Sequence, residues 1–219
     1  MTQRVPRTLL LAAACLSLLA ARPARADFAR LMLQSQPGDF IGQGQTEDIT
    51  YTPANSMSFF DQIVKTLPDG RPTFLRFILG TVTGSNATNT YTGLDFATDQ
   101  LNLPFLAGTY PDAQRATFAA AGHPGLDVSF QNRGSNTLTG SFTVNSVSFF
   151  EDATRTLRIG SLDVNFVQRT EGATGTLTGH FVFQSSAVPE PSSLALMGLG
   201  LVGLVGYGRR RLRPAGTTA

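Results

Sequence analysis

The segment Leu138-Thr139-Gly140-Ser141-Phe142-Thr143-Val144 decides the fold of this chain, because large apolar residues alternate in it with small or polar ones. Successive side chains of a β-strand point to opposite faces, so this alternation predicts a strand with one apolar and one polar face. The same pattern recurs in residues 126–130, 162–166 and 177–181. The chain therefore contains several half-buried strands.

Turn sequences stand between these strands, as in Pro68-Asp69-Gly70 and Asn132-Arg133-Gly134. The apolar run 74–79 is typical of a strand buried on both faces. No segment between the two ends carries a long helical period with caps. We expect an all-β fold, a single antiparallel β-sandwich of jelly-roll-like form. The alternation changes phase within 144–150, which predicts a bulge or bend there.

The N-terminal residues 1–26 have the pattern of a signal peptide. Arg4 and Arg7 precede an apolar run over 9–21, and Ala24-Arg25-Ala26 forms an A-x-A cleavage site. We expect signal peptidase to cleave after Ala26, so that the mature chain begins at Asp27.

Two alternatives to a cleaved signal peptide remain open. An uncleaved membrane anchor is disfavoured because the apolar run is shorter than the ~20 residues of a spanning helix. A lipoprotein signal ending before Cys15 is disfavoured because the apolar run continues to Leu19.

A composite motif occupies residues 187–213, ahead of a short tail at 214–219. Pro189-Glu190-Pro191 is followed by an apolar run over 194–208 and then by Arg209-Arg210-Arg211. This arrangement resembles the PEP-CTERM sorting signal of Gram-negative bacteria. The resemblance implies an exosortase substrate, a hydrophobic helix that holds the precursor in the membrane, and cleavage near the Pro-Glu-Pro triplet. A plain tail anchor is the alternative.

The charge of the chain is unevenly distributed between these ends and the central domain, 27–186. Of the 17 basic residues eight lie in the two targeting segments, whereas Glu190 is the one acid of 15 that does. The central domain is therefore acidic, with a net charge of about −5, which argues against a nucleic-acid partner. The positive-inside rule places the terminal arginines in the cytoplasm and the domain outside it.

The domain itself also resembles a known group. The pattern comprises Gln36-Pro37-Gly38-Asp39-Phe40-Ile41-Gly42-Gln43-Gly44-Gln45, Gly108-Thr109-Tyr110, Pro124-Gly125-Leu126-Asp127-Val128 and the stretch from Arg133 to Phe142. It is similar to an uncharacterised secreted bacterial β-domain, and the resemblance implies no activity. In that family cysteines commonly occupy the places of Ser135 and Thr170. The absence of both here is expected if those cysteines pair in the relatives.

Catalytic motifs are absent from the sequence: it has no G-x-S-x-G, H-E-x-x-H or P-loop. His123 and His180 have no neighbour at metal-ligand spacing, and we expect no metal and no cofactor. Acidic residues at Asp95/Asp99 and Glu151-Asp152 leave open a calcium site or a pair of glycosidase carboxylates. The tyrosines left to stack on a sugar are Tyr51, Tyr91 and Tyr110.

These observations predict an exported, non-catalytic protein of the cell surface or extracellular matrix of a Gram-negative bacterium. It would begin as a precursor anchored in the inner membrane, with signal peptidase and exosortase as its processing partners. The alternative is a module that binds exopolysaccharide, with or without Ca²⁺, and a hydrolase is a third hypothesis.

Overall fold

The computed structural model describes residues 27–83 and 88–186. These residues form ten β-strands, and 3₁₀ turns follow β5 at Asp99–Leu101 and β6 at Ala116–Phe118. The all-β prediction is confirmed. The strands are β1 (Phe28–Ser35), β2 (Thr46–Tyr51), β3 (Ser58–Thr66), β4 (Pro72–Thr83), β5 (Thr88–Ala97), β6 (Gly108–Arg115), β7 (Gly125–Ser129), β8 (Leu138–Glu151), β9 (Leu157–Thr170) and β10 (Leu177–Gln184).

All ten strands belong to one sheet, in the order β2-β1-β10-β9-β8-β6-β7-β5-β4-β3. Neighbouring strands are antiparallel except β6 and β7, which run parallel over two residue pairs. The expectation of a purely antiparallel sheet is therefore wrong at this one junction. The jelly-roll-like sandwich is a finer description, which this continuous strand order does not confirm.

The sheet has two halves, one formed by β2, β1, β10, β9, β8 and β6 and the other by β7, β5, β4 and β3. Phenylalanine side chains from the two halves pack against each other in the core. Phe77 of β4 packs against Phe181 and Phe183 of β10, with ring centroids 4.9 and 5.1 Å apart. Phe96 of β5 meets Phe142 of β8 at 5.5 Å. All five side chains are buried. Burial of this apolar area is the main driving force for the fold.

The predicted irregularity in β8 is confirmed as a bulge. Val144 pairs with Val164 and Ser146 with Asp163, so Asn145 has no residue opposite it in β9. The extra residue shifts the alternation by one position. Val147 therefore packs against the core although its spacing from Phe142 is odd.

The apolar run in β4 is buried on both faces at only one end. Leu75 lies in the main core, and Phe74, on the opposite face, is covered by Ala97 and Ala116. Beyond them Arg76 and Ile78 are half-exposed. The prediction of burial on both faces is thus wrong for the second part of the run.

A buried glutamine joins the two halves of the sheet where backbone pairing stops. The Gln168 amide donates to the Val128 carbonyl oxygen at 2.9 Å and accepts from the Val128 N–H at 2.8 Å. It reproduces the hydrogen bonds of a strand neighbour, so the buried backbone of β7 keeps its partners.

The first and last described residues lie side by side. Phe28 of β1 pairs with Gln184 of β10, and the Asp27 carboxylate accepts a hydrogen bond from the Ser186 N–H. Loops 36–45 and 171–176 lie at the other end of these two strands. The eight residues of β1 separate the two ends by about 26 Å.

Candidate ligand-binding face

A ladder of charged side chains crosses the outer face of β4, β5 and β7. Arg76 lies opposite Asp95, and Asp95 lies opposite Asp127. The Arg76 Nε and Nη2 donate to the two oxygens of Asp95 at 2.8 and 2.7 Å. At the other end of the ladder, Arg115 Nε donates to Asp127 Oδ2 at 3.0 Å.

Each carboxylate in this ladder is balanced by its own arginine. Burial raises the pKa of Asp127, and the hydrogen bond from Arg115 works against that rise. The hydrogen bonds to Asp95 raise the pKa of Arg76. Carboxylates directly opposite each other repel, so the two arginines make their close approach tolerable. The ladder carries no net charge.

An aromatic platform lies beside the ladder on the same face. Phe60 of β3 is 45% exposed and Tyr91 of β5 is 41% exposed, although both belong to regular strands. The register places Phe60 opposite Ile78, and Ile78 opposite Gly93. In the next row Gly80 lies between Ser58 and Tyr91.

Gly80 and Gly93 lie next to the platform residues on this face and carry no side chain, and we call these two positions the glycine floor. A Cβ atom on Gly93 would lie 2.8 Å from the Ser129 hydroxyl oxygen, which accepts a hydrogen bond from the Gly93 N–H. A Cβ on Gly80 would lie 3.1 Å from Ser58. No side chain rises between Phe60 and Tyr91 at these two positions, and a ligand can approach the backbone closely.

The loop after β7 forms one wall of the resulting cleft. Asn132 accepts from the Tyr91 N–H at 2.9 Å and donates its own N–H to the Tyr91 carbonyl at 3.0 Å. Arg133 Nε donates to the Ile41 carbonyl at 2.7 Å. The cleft, with a volume of about 490 Å³, lies between this loop, the ladder and Tyr91.

A second cleft, of about 560 Å³, adjoins the first one and shares Gly134 and Asn136 with it. Its rim carries Phe40, which is 53% exposed. Asp39 lines it and is buried. The Asp39 Oδ2 accepts from the Ser35 hydroxyl and the Gly42 N–H, and its Oδ1 has no hydrogen-bond partner among the described residues.

Most of the sorting residues predicted from sequence lie outside the described residues. These are Pro189, Glu190, Pro191, Arg209, Arg210, Arg211, Ala24 and Ala26, together with the predicted signal and C-terminal helices. Asp27, the predicted first residue of the mature chain, is described and contacts Ser186. Both cleavage sites stay predictions.

The histidines lie far apart in the sequence and have separate partners. His180 Nε2 lies 2.8 Å from Asp163 Oδ1, which also accepts from Asn145 at 2.7 Å. Burial works to raise the pKa of Asp163, but these two hydrogen bonds outweigh it and lower the pKa. His123 Nδ1 lies 3.0 Å from the Asp112 carbonyl oxygen. Within residues 27–83 and 88–186, no three His, Cys, Asp or Glu side chains are placed to share a metal ion.

The aspartates of the two acidic clusters seen in the sequence pair with different basic side chains. Asp95 binds Arg76, whereas Asp99 binds Lys65 Nζ at 2.6 Å. Asp152 is held by the turn that joins β8 to β9 and by Arg158. Of the three tyrosines considered for stacking, Tyr51 and Tyr110 are buried and Tyr91 is exposed.

Ser135 and Thr170 meet in the interior. Their hydroxyl oxygens are 2.7 Å apart, and both side chains are buried. In the family that the domain resembles, cysteines commonly occupy these two positions. A hydrogen bond between hydroxyl groups joins them in this chain.

Sequence reasoning did not identify the aromatic platform or the ladder. Their residues come from five strands and are brought together by a strand order that alternation alone cannot reveal. The available signal was a charge inside an apolar strand, as in Leu94-Asp95-Phe96 and Leu126-Asp127-Val128. A charge at such a position marks the outer face of its strand.

Comparison with known protein families matches the C-terminal end of the chain. Residues 187–211 match the model of the PEP-CTERM protein-sorting motif. The chain therefore carries the sorting signal of an exported protein that exosortase processes. No curated protein and no solved structure is detectably similar to the chain. In the part that the structure describes, no helix has the length and apolar character needed to cross a membrane.

Proposed function

We propose that this chain is a non-catalytic component of the cell surface or extracellular matrix, delivered there by its PEP-CTERM signal. The observation that carries the proposal is the sorting motif at 187–211, directly after the folded domain. The outer face of β6, β8, β9 and β10 fits an aqueous location, because hydroxyl, amide and charged side chains make up most of it. Examples are the Ser148–Ser161 and Thr109–Thr143 hydroxyl pairs.

The sorting claim is tested by replacing Pro189, Glu190 and Pro191 with alanine. We expect the precursor to accumulate in the membrane fraction with its C-terminal segment still attached. The matched control is Pro214→Ala, which lies beyond the motif and should leave processing unchanged. Normal processing of the triple variant would contradict the proposal.

The second candidate function is binding of matrix polysaccharide. The exposed aromatic platform and the adjoining clefts favour it. Calcium assistance is not needed, because Asp95, Asp99 and Asp152 each pair with a basic side chain. Retention of the protein on its host's exopolysaccharide should therefore be unchanged by a chelator, and loss of retention would restore the calcium hypothesis.

A hydrolase would need two accessible carboxylates in a cleft. Asp95 and Asp127 do lie opposite each other in the first cleft. However, both oxygens of Asp95 already accept hydrogen bonds from Arg76. We therefore favour binding without cleavage. New reducing ends after incubation with exopolysaccharide, lost in Asp127→Asn, would contradict this choice.

A further inference from the structure

We propose that the outer face of β3, β4, β5 and β7 is the binding site for an uncharged segment of a polysaccharide. The inference rests on the proposed extracellular location and names the site and the class of ligand. The face consists of the aromatic platform (Phe60, Ile78, Tyr91), the glycine floor and the charged ladder.

The exposed aromatic side chains form the apolar part of the proposed site. Phe60 and Tyr91 lie two strands and one row of side chains apart, which places their Cα atoms about 12 Å from each other. Among the described strand residues, the strongly exposed aromatic side chains lie in this half of the sheet. On the outer face of the other half, the large apolar side chain that is strongly exposed is Val167, at 41%. Flat rings pack on the C–H faces of sugar rings, as they do on other apolar surfaces.

The ladder supplies the polar part. The pairs Arg76–Asp95 and Arg115–Asp127 form a row of donors and acceptors, and each pair is held in place by its own hydrogen bonds. Sugar hydroxyls both donate and accept, so they match such a row. Because each charge is already paired, the row attracts neither a polyanion nor a polycation strongly. This selects an uncharged ligand.

A second protein is a poorer match for this face. Phe60 and Tyr91 are 45% and 41% exposed. Together they present roughly 170 Å² of aromatic surface, given the 150–250 Å² of a whole aromatic side chain. A standard protein interface buries about 800 Å² on each partner. The floor at Gly80 and Gly93 breaks this surface further.

The binding site is tested with the processed protein purified from its host. The probes are the host's exopolysaccharide, dextran as an uncharged glycan and alginate as an acidic one, each by affinity electrophoresis. We expect retention on the host polysaccharide or dextran and weaker retention on alginate. Tyr91→Ala and Phe60→Ala should each weaken binding about fivefold to tenfold, which corresponds to roughly 1–1.4 kcal/mol for a ring contact of this kind.

Two controls make the result specific. Tyr91→Phe keeps the ring and should retain binding, and Val167→Ala removes an equally exposed side chain elsewhere and should have no effect. Thermal melting of each variant confirms that it is folded. Equal retention of Tyr91→Ala and Val167→Ala, preference for alginate, or no retention of the unaltered protein on any probe would overturn the inference. Processing and location are measured separately, so a correctly exported protein that fails to bind would leave the proposed location intact.

Discussion

At the residue scale, the contact between Ser135 and Thr170 ties the loop before β8 to the end of β9. Two hydroxyls sharing a buried hydrogen bond contribute about 1 kcal/mol, because both would otherwise bond to water. A disulfide at the same place would act on the unfolded chain instead, by closing a loop of 35 residues.

We therefore expect the double variant Ser135→Cys/Thr170→Cys to form a disulfide when it is exported to an oxidising compartment. Loop closure of this size stabilises a protein by about 4 kcal/mol at most. Intact mass with and without reduction, after alkylation of free thiols, measures the bond. The control pair is Ser135→Cys/Thr143→Cys, because Thr143 bonds to Thr109 on the outer face. Free thiols in the first pair would contradict the arrangement.

Gly179 lies at a position in the core where there is no room for a Cβ atom. A Cβ on Gly179 would lie 2.2 Å from Cζ of Phe166, whose ring is buried against Phe96. We expect Gly179→Ala to lower the free energy of unfolding by about 1–3 kcal/mol, the usual cost of overpacking. Gly134→Ala is the control, since its Cβ would meet Ser129 at an ordinary 3.5 Å. Chemical denaturation measures the free energy of unfolding of both variants. Equal values would show that the Phe166 ring shifts to make room for the added methyl group.

At the scale of strands, alternation predicted which side chains are buried in β7, β8, β9 and β10. The bulge at Asn145 was also predictable, because a change of phase in the pattern has few other causes. Burial of β4 on both faces was predicted correctly only near Phe74. Beyond Phe74, the exposure of the β4 side chains depends on which segment packs on the outer face of the strand. The alternation of apolar and polar residues does not show which segment that is.

The turn between β8 and β9 shows how one carboxylate organises an element. Asp152 Oδ1 accepts from the Thr154 hydroxyl and from the Thr154 and Thr156 N–H groups, and Oδ2 accepts from Arg158 Nε. The hydroxyl of Thr154 is the largest of the causes that hold the pKa of Asp152 well below its usual range. The charged form is thus favoured in the folded state.

This shift predicts a pH-dependent effect of Asp152→Ala. A carboxylate with a lowered pKa contributes stability above its unfolded pKa of about 4, and the contribution disappears as the pH falls toward the folded value. The difference in denaturation midpoint between the unaltered protein and Asp152→Ala should be largest above pH ~4 and shrink below it. Glu151→Ala is the neighbouring control. A difference that stays constant down to pH ~2 would mean that the charge of Asp152 plays no part.

At the scale of the whole molecule, the sequence predicted the targeting and the all-β class, and missed the binding face. Targeting signals are contiguous in sequence, so a local pattern is sufficient. The face draws on Phe60, Arg76, Tyr91 and Asp127, which are separated by turns and meet only through the order β7-β5-β4-β3. That order depends on long-range pairing, including the parallel contact of β6 with β7.

The meeting of Asp27 with Ser186 has a consequence for export. Because β1 and β10 are neighbours, the chain enters and leaves the domain at one place. Loops 36–45 and 171–176, with the second cleft and Phe40, lie at the other end of these strands, about 26 Å away. Cleavage near the Pro-Glu-Pro triplet, beyond Ser186, would therefore release the domain without breaking the hydrogen bonds between its two ends.

Export of the domain and its separation from the C-terminal signal are tested by the intact mass and location of the protein in its own host, with and without the exosortase. We expect a product from Asp27 to near Val188 outside the cytoplasm, replaced by a longer precursor when the exosortase is missing. A product that still carries residues 194–211 in both strains would contradict this expectation.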